Sequence, residues 1–410
     1  MNLQLATKKG TKINTEITIS GSKSESNRLL ILQQLYPNIT IHNLSDSDDT
    51  HHLQEALSSE NEIADIGHAG TAMRFLTAFF ASKKDAVKVL QGSERMHNRP
   101  IKILVDALRD LGADIEYLEK DSYPPIKITG KELLIAKVAI NGNVSSQYIS
   151  ALMLIAPSLK NGLTIELKGN ITSVPYIKMT LTLLHQIGVS ASFEGNIITI
   201  INQSEVSTQD IVVESDWSSA SYFYSLIALS EIGSSVKLSA YKKDSLQGDN
   251  CLARIYNHFG VVTTFQENTI VLTKEALHNT AILTENLKNA PDIAQTIAVT
   301  CFGLGIACDL SGLHTLKIKE TDRLEALKEE LTKLGGDISV TNESLHLKTS
   351  EEIKKNIEIA TYNDHRMAMA FAPLALKISI VILEAEVVTK SYRNFWKDMQ
   401  QVGIETIKGK

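Results

Sequence analysis

Cysteine is scarce in this chain. Three in 410 residues, Cys251, Cys301 and Cys308, are too few and too clustered for a disulfide framework or a zinc site. They read as buried thiols of a reducing compartment. A basic excess is missing too: 41 Lys and Arg stand against 47 Asp and Glu, a net charge of −6. That excludes a general binder of nucleic acid or acidic membrane, which needs a basic face to neutralise phosphates. It leaves room for a small anionic ligand, because a site answers to local charge. No long apolar run is present either. The stretch Met367 to Leu383 is broken by Pro373 and Lys377 and falls short of a membrane span. Ahead of Lys8 and Lys9 there is no apolar signal segment, and Glu16 with no early arginine is unlike a transit peptide. The expectation is a soluble, cytoplasmic protein. Hydrophobic residues at 43% and charged residues at 21% are ordinary globular usage, and the length suits two to three domains.

What the chain does have is a repeat, marked by glycines. An amphipathic segment ends at an apolar–Gly pair and a short alternating run follows. Leu104, Leu108 and Leu111 precede Gly112; Leu183 and Ile187 precede Gly188; Phe259 precedes Gly260. Leu324, Leu327, Leu331 and Leu334 form one helical stripe before Gly335, and Val402-Gly403-Ile404 is a last copy. The glycines are 76, 72, 75 and 68 residues apart. Each has a mechanical reason, since a helix C-terminus often turns through a left-handed residue that only glycine adopts cheaply. After three of them a polar turn leads to a second alternating run: Asn196–Ile200, Thr269–Leu272 and Ser344–Leu347. The unit reads as strand–helix–strand–strand, of about 70 residues, and 410 residues hold nearly six. The segment Arg28 to Leu44 is assigned to the remaining unit.

Small hydroxyl residues and cations gather at several helix starts. Phosphate and carboxylate sites need such groups together with exposed backbone N–H. Ser20-Gly-Ser-Lys-Ser-Glu-Ser-Asn-Arg28 and Gly67-His-Ala-Gly-Thr-Ala-Met-Arg74 both have this character. Neither has Walker spacing, and Gly303-Leu-Gly305 lacks the third glycine of a dinucleotide loop. Val144-Ser-Ser-Gln147 offers two hydroxyls and an amide. Lys319-Glu-Thr-Asp-Arg323 puts two cations four residues apart beside Glu320. Asn363-Asp-His-Arg366 and Lys390 follow. Singly, such clusters are ordinary caps, turns and solvated faces.

In this order, with Arg95-Met-x-x-Arg99-Pro100, Ser122-Tyr-Pro-Pro125, Pro175-Tyr176, Ser245-Leu-Gln-Gly-Asp249 and Pro291-Asp292 between them, the motifs cover nearly the whole chain. Together they resemble the 5-enolpyruvylshikimate-3-phosphate synthases (3-phosphoshikimate 1-carboxyvinyltransferases) of the enolpyruvyltransferase family. The resemblance implies an α/β fold: a two-domain inside-out α/β barrel of six βαβαββ units, three per domain. One domain would be residues 1–20 plus 214–410, the other 21–213, with the active site in a cleft between them. The implied reaction moves the enolpyruvyl group of phosphoenolpyruvate to the 5-hydroxyl of shikimate-3-phosphate and releases phosphate. No metal or organic cofactor, nucleic acid or membrane is implied, and a monomer is expected.

Residue by residue, the resemblance assigns shikimate-3-phosphate to Lys23, Ser24, Arg28, Ser145, Ser146, Gln147, Ser173, Tyr176, Asp292, Thr315 and Lys319. It assigns phosphoenolpyruvate to Lys23, Gly70, Arg74, Arg99, Gln147, Arg323, His365, Arg366 and Lys390. Asp292, Glu320 and Lys319 would be catalytic, with Asp292 the base for the attacking hydroxyl and Glu320 the acid for the methylene carbon. The charge logic agrees, because both substrates carry a phosphate and a carboxylate, and taking them out of water requires fixed cations. Such a cleft should be open when empty and close on its ligands.

The chain departs from the family pattern at four places. His68 stands where Asn is usual, Phe75 where Pro is usual, Thr315 where Asn is frequent and Arg393 where Pro is common. Gly70 is kept, so altered sensitivity to glyphosate, the family's herbicide, is expected through Phe75. Two rivals share the fold: the enolpyruvyltransferase acting on UDP-N-acetylglucosamine, and a non-catalytic relative. The first usually has a loop cysteine between Gly92 and Arg99, where this chain has none. The second has no reason to keep Asp292, Lys319, Glu320, Arg366 and Lys390.

Overall fold

The computed structural model describes residues 1–7, 12–143, 145–171 and 174–409. They form two compact units, Met1–Ser20 with Glu214–Lys410, and Gly21–Val213.

The repeat is most easily followed in the second unit. Strand Ile63–Asp65 leads into helix Gly70–Ser82, strand Val87–Gln91, helix Lys102–Asp110 and the strands Asp114–Tyr117 and Ile126–Thr129. The first two strands pair in parallel, Ile63 opposite Val89. The last two form an antiparallel hairpin, Ile115 opposite Ile128, whose second strand lies against Val87–Gln91. Alternation sets the buried face: Ile126 and Ile128 point in while Lys127 and Thr129 are partly exposed. Strands Lys137–Asn141, Leu163–Lys168, Ala191–Glu194 and Ile197–Ile200 repeat this order around helices Ser146–Ile155 and Val174–Gln186. The remaining copy is shorter. Helix Lys23–Leu35, strand Ile39–His42 and helix Asp48–Ser58 are present, and Gln209–Val212, from the far end of the unit, pairs in parallel with Ile39–His42. Among the described residues it has no hairpin.

The other unit holds three four-stranded copies. Two borrow strands across the inserted unit. Asn14–Ile17 pairs in parallel with Ser235–Ser239, and Leu3–Ala6 lies antiparallel between Ile380–Ile382 and Glu405–Lys408.

The glycines behave as the spacing predicts. Gly112, Gly188, Gly260, Gly335 and Gly403 all have φ between 75° and 104°. At Gly112, Gly188 and Gly403 an added Cβ would meet nothing within 4 Å, so backbone conformation alone selects glycine there.

In each unit the first helix of a copy is packed on all sides. Helix Trp217–Leu229 is buried at every position except Ser218, and helix Gly70–Ser82 at every position but Thr71 and Ser82. Such helices read as apolar throughout rather than striped. Their ends are where they can face solvent.

Candidate active site

In unit 21–213, Lys23, Ser24, Gly70, Ser145, Ser146 and Gln147 sit at or beside the N-termini of these inner helices. The partial positive charge and free amides of a helix start favour anions there. Lys23 opens helix Lys23–Leu35, and its Nζ is 3.1 Å from Asp49 Oδ2. Gly70 opens the next inner helix, and Ser145 caps the third by accepting from Gln147 N. Gln147 Nε2 donates to Thr71 Oγ1 at 3.0 Å, tying the second and third helix starts together. Against Gly70 lies the guanidinium of Arg99: a Cβ there would stand 2.7 Å from Arg99 Cζ. Glycine at position 70 is what lets this cation rest on the helix start.

Two arginines of this unit are sunk deeper. Arg74 donates to the carbonyls of Gly70 (3.0 Å) and Pro100 (3.1 Å), so it braces the two segments that carry Gly70 and Arg99. Arg28 donates to Thr180 Oγ1 (2.7 Å), Ser24 O (2.7 Å), Ser150 Oγ (2.9 Å) and Tyr176 O (3.5 Å). Burial lowers both guanidinium groups to about 10; Arg99 adds to this at Arg74, while Tyr176 and Glu25 oppose it at Arg28.

The unit made of residues 1–20 and 214–410 holds a denser ionic cluster, centred on Arg323. That side chain is 2% exposed and touches three carboxylates. Nε donates to Asp364 Oδ2 (2.6 Å), Nη1 to Asp292 Oδ1 (2.8 Å) and Nη2 to Glu320 Oε2 (2.8 Å). Lys390 Nζ takes the other oxygen of Glu320 at 2.9 Å, and Lys319 Nζ is 3.5 Å from Asp292 Oδ1. Arg366 donates to the Asp292 carbonyl at 3.2 Å, lies 3.5 Å from its carboxylate and reaches Ser218 Oγ at 3.3 Å. Asp364 also caps its helix by accepting from Arg366 N at 2.8 Å, so one carboxylate fixes both arginines. Burial works to raise the Asp292 carboxyl, but Lys319, Arg366 and Arg323 outweigh it and hold it well below the usual carboxylate range. Arg323 and Arg366 are held protonated in turn: burial would lower them, and the facing carboxylates overcome it.

Behind this cluster sits Asp249, hydrogen-bonded to Ser218. Burial first, then the charge of Asp292, pushes its carboxyl up to about 7, against the pull of Arg366 and Ser218. Its loop is pinned by Glu214, which accepts from Trp217 Nε1 (2.8 Å), Lys242 N (2.9 Å) and Ser245 Oγ (2.6 Å).

Paired carboxylates among fixed cations, and helix starts armed with cations and amides, suit proton transfer on a polyanionic substrate. The family profile described as EPSP synthase (3-phosphoshikimate 1-carboxyvinyltransferase) matches residues 54–399. A 3-phosphoshikimate 1-carboxyvinyltransferase of Bacteroides fragilis (strain YCH46) is 44% identical over 398 residues, 96% of either chain.

The chain belongs to the EPSP synthase family.

A more distant member, from Histophilus somni (strain 2336), is 35% identical over 95% of this chain and 97% of its own. The fold agrees: an EPSP synthase structure from Acinetobacter baumannii superposes with a TM-score of 0.79 at 20% identity, over 99% of this chain and 100% of that one.

Within each unit the EPSP synthase motifs converge as described. Lys23, Ser24, Gly70, Arg99, Ser145, Ser146 and Gln147 lie at or beside inner-helix starts of one unit. Asp292, Lys319, Glu320, Arg323, Arg366 and Lys390 form the ionic cluster of the other. His365 is buried beside Asp364, with 3.6 Å between Nδ1 and Oδ1. Thr315 keeps its Oγ1 without a hydrogen-bond partner among the described residues. Tyr176 opens onto Arg28 through its ring and its carbonyl. Ser173 and Val144 lie outside the described residues. Among the departures, His68 Nδ1 is 2.8 Å from Ser93 Oγ, and Phe75 is buried against Arg28. Among the described residues, no group of three or more His, Cys, Asp and Glu is arranged to hold a metal ion, and no helix is long and apolar enough to cross a membrane.

Sequence reasoning gave no role to Asp364, Asp249, Asp49 or Ser218. Their signals were present but weak. Asp364 and Asp249 fall inside quoted motifs, and Asp49 sits in the polar run Ser45–Asp49, which reads as a helix cap.

Proposed function

We infer that the chain is a 3-phosphoshikimate 1-carboxyvinyltransferase: it transfers the enolpyruvyl group of phosphoenolpyruvate to the 5-hydroxyl of shikimate-3-phosphate and releases inorganic phosphate. The observation that carries this is the pair Asp292 and Glu320 on one buried guanidinium, each 2.8 Å from Arg323, with Lys319 and Lys390 alongside. One carboxylate accepts a proton while the other delivers one, and a shared cation keeps them in register.

In this reading the clusters of the two units act on the same pair of substrates. Lys23, Arg99, Gln147, Lys390 and the Gly70 amide hold the phosphate of phosphoenolpyruvate, and Arg323 and Arg366 face its carboxylate, with Arg74 and His365 in support. Ser145, Ser146 and Ser173 take the phosphate of shikimate-3-phosphate, Ser24 and Arg28 its carboxylate. Tyr176 meets its ring, and Thr315, Lys319 and Asp292 meet its hydroxyls. The 5-hydroxyl oxygen bonds to C2 of phosphoenolpyruvate as its proton passes to Asp292 and Glu320 protonates C3. The adduct then gives a C3 proton back to Glu320 as its C2–O bond to phosphate breaks, phosphate leaves with the proton held on Asp292, and the vinyl ether remains. Asp292 is a weak base while three cations face it. Substrate carboxylate drawing Arg323 and Arg366 away raises its basicity when the hydroxyl is in place.

Phosphate release, with each substrate omitted in turn, tests the reading. Release should need both substrates and collapse in Glu320→Gln. Release without shikimate-3-phosphate would overturn the activity, and full activity in Glu320→Gln would overturn the role of Glu320. The rival acting on UDP-N-acetylglucosamine predicts release with that acceptor instead.

A further inference from the structure

Arg28 is a buried cation in unusual company. It is 2% exposed, and the acceptors of its hydrogen bonds are all neutral: Thr180, Ser150 and the carbonyls of Ser24 and Tyr176. Among the described residues these take four of its five N–H groups and leave one on Nη1. Its Cζ also stands 5.4 Å from the ring centroid of Phe75 and 5.9 Å from that of Tyr176. Phe75 is 1% exposed, in the middle of helix Gly70–Ser82. A guanidinium stripped of water gains from the negative face of an aromatic ring, and the gain grows with desolvation. The position where the family pattern usually has proline thus supplies a face for a substrate-binding cation.

We propose that Phe75 is a positioning residue for shikimate-3-phosphate: its ring steadies the Arg28 guanidinium so that the remaining Nη1 hydrogen meets the substrate carboxylate. This rests on the reading above that Arg28 takes that carboxylate. Phe75 touches no reacting atom, and its effect passes wholly through Arg28. It therefore bears on the grip on one substrate and leaves phosphoenolpyruvate and the chemical step alone.

The test is steady-state phosphate release by the full chain. Phe75→Leu keeps an apolar side chain and removes the ring face. KM for shikimate-3-phosphate should rise about tenfold, equivalent to about 1.4 kcal/mol, while kcat and KM for phosphoenolpyruvate stay within about twofold. In an Arg28→Lys background the same change should move KM less than about twofold, because the planar cation is gone. With an analogue whose carboxylate is reduced to a hydroxymethyl group, Phe75→Leu and the unaltered enzyme should match. A purely structural role would raise KM for the analogue as much as for shikimate-3-phosphate, and that result overturns the proposal. So does an unchanged KM in Phe75→Leu when Arg28→Lys is impaired. An unchanged KM in Arg28→Lys overturns instead the assignment of Arg28, and no phosphate release by the unaltered enzyme overturns the activity itself. Should Phe75→Leu melt early, Phe75→Met, equally ringless and more adaptable in packing, carries the same expectations.

Discussion

One added methyl group at Gly70 should separate the two substrates kinetically. In Gly70→Ala the new Cβ would stand 2.7 Å from Arg99 Cζ and Nη2, where ordinary contact begins near 3.4 Å. Nη1 is nearer still, so the guanidinium must retreat by roughly 1 Å or swing aside, and it can, being the far end of a flexible side chain. The helix should not suffer, since alanine is the better helix former. On the proposed assignment of Arg99, what changes is its distance to the phosphate of phosphoenolpyruvate. A hydrogen bond to a charged group is worth about 1.5–3 kcal/mol, so losing one should raise KM for phosphoenolpyruvate roughly 10- to 150-fold. KM for shikimate-3-phosphate should stay within about twofold. The assay is phosphate release with phosphoenolpyruvate titrated at saturating shikimate-3-phosphate, and then the reverse. Combining the change with Arg99→Lys should add little, because both act through one cation. Equal rises in the two KM values, or full additivity with Arg99→Lys, would refute the reasoning.

Three further outcomes follow from charge and backbone. A carboxylate depressed by its cations, as at Asp292, contributes stability that is present above the ordinary unfolded value near 4 and lost as pH falls. The melting-temperature advantage over Asp292→Asn should therefore shrink below about pH 4, while kcat of the variant falls about 10²- to 10⁴-fold; an advantage constant from pH 3 to 7 contradicts the geometry. Asp249 has the opposite sign: with its carboxyl at about 7 in the fold, its contribution is full below pH 4 and is lost as pH rises through 7. Melting of Asp249→Asn relative to the unaltered chain should improve from pH 5 to pH 8, and a flat difference would sink the point. Gly188→Ala, with φ 87° and open space around the new Cβ, should cost about 1–2 kcal/mol. Gly260→Ala, whose Cβ would run into the Ala276 carbonyl, should cost clearly more in the same denaturant titration.

The repeat was legible because five of the six units place a glycine where the chain leaves its helix through a left-handed turn, and those glycines recur at nearly even spacing. The hairpins were legible for a similar reason, since alternation in runs such as Thr269–Leu272 is a local property. Strand exchange was not. Nothing in Leu3–Ala6 says that its partners are Ile380–Ile382 and Glu405–Lys408, because pairing over such separations is decided by the assembled sheet. At the site, the motifs marked Arg323 and Asp292 but not their mutual grip. Asp364 looks in sequence like a helix cap, and it is one; that its other oxygen holds Arg323 Nε depends on a helix starting forty residues earlier. Arg28 and Arg74 look alike as motif arginines, and only the packed structure shows that protein oxygens take four N–H groups of Arg28 but hold Arg74 through the Gly70 and Pro100 carbonyls.

The strand Leu3–Ala6 also bears on how the chain can be made. During synthesis Gly21–Val213 has all of its own partners as soon as it leaves the ribosome, and can condense while the following residues are still being added. The other unit has no such freedom. Its inner strand Leu3–Ala6 emerges before the inserted unit, yet both of its neighbours, Ile380–Ile382 and Glu405–Lys408, emerge well after it. For nearly the whole of translation that strand carries unpaired backbone and apolar Leu3 and Leu5, a sticky end awaiting its sheet. Removing it should leave the early-folding unit intact while the last sheet fails to close. The inserted unit thus acts as an internal delay, and that sheet is sealed only when Glu405–Lys408 meets Leu3–Ala6.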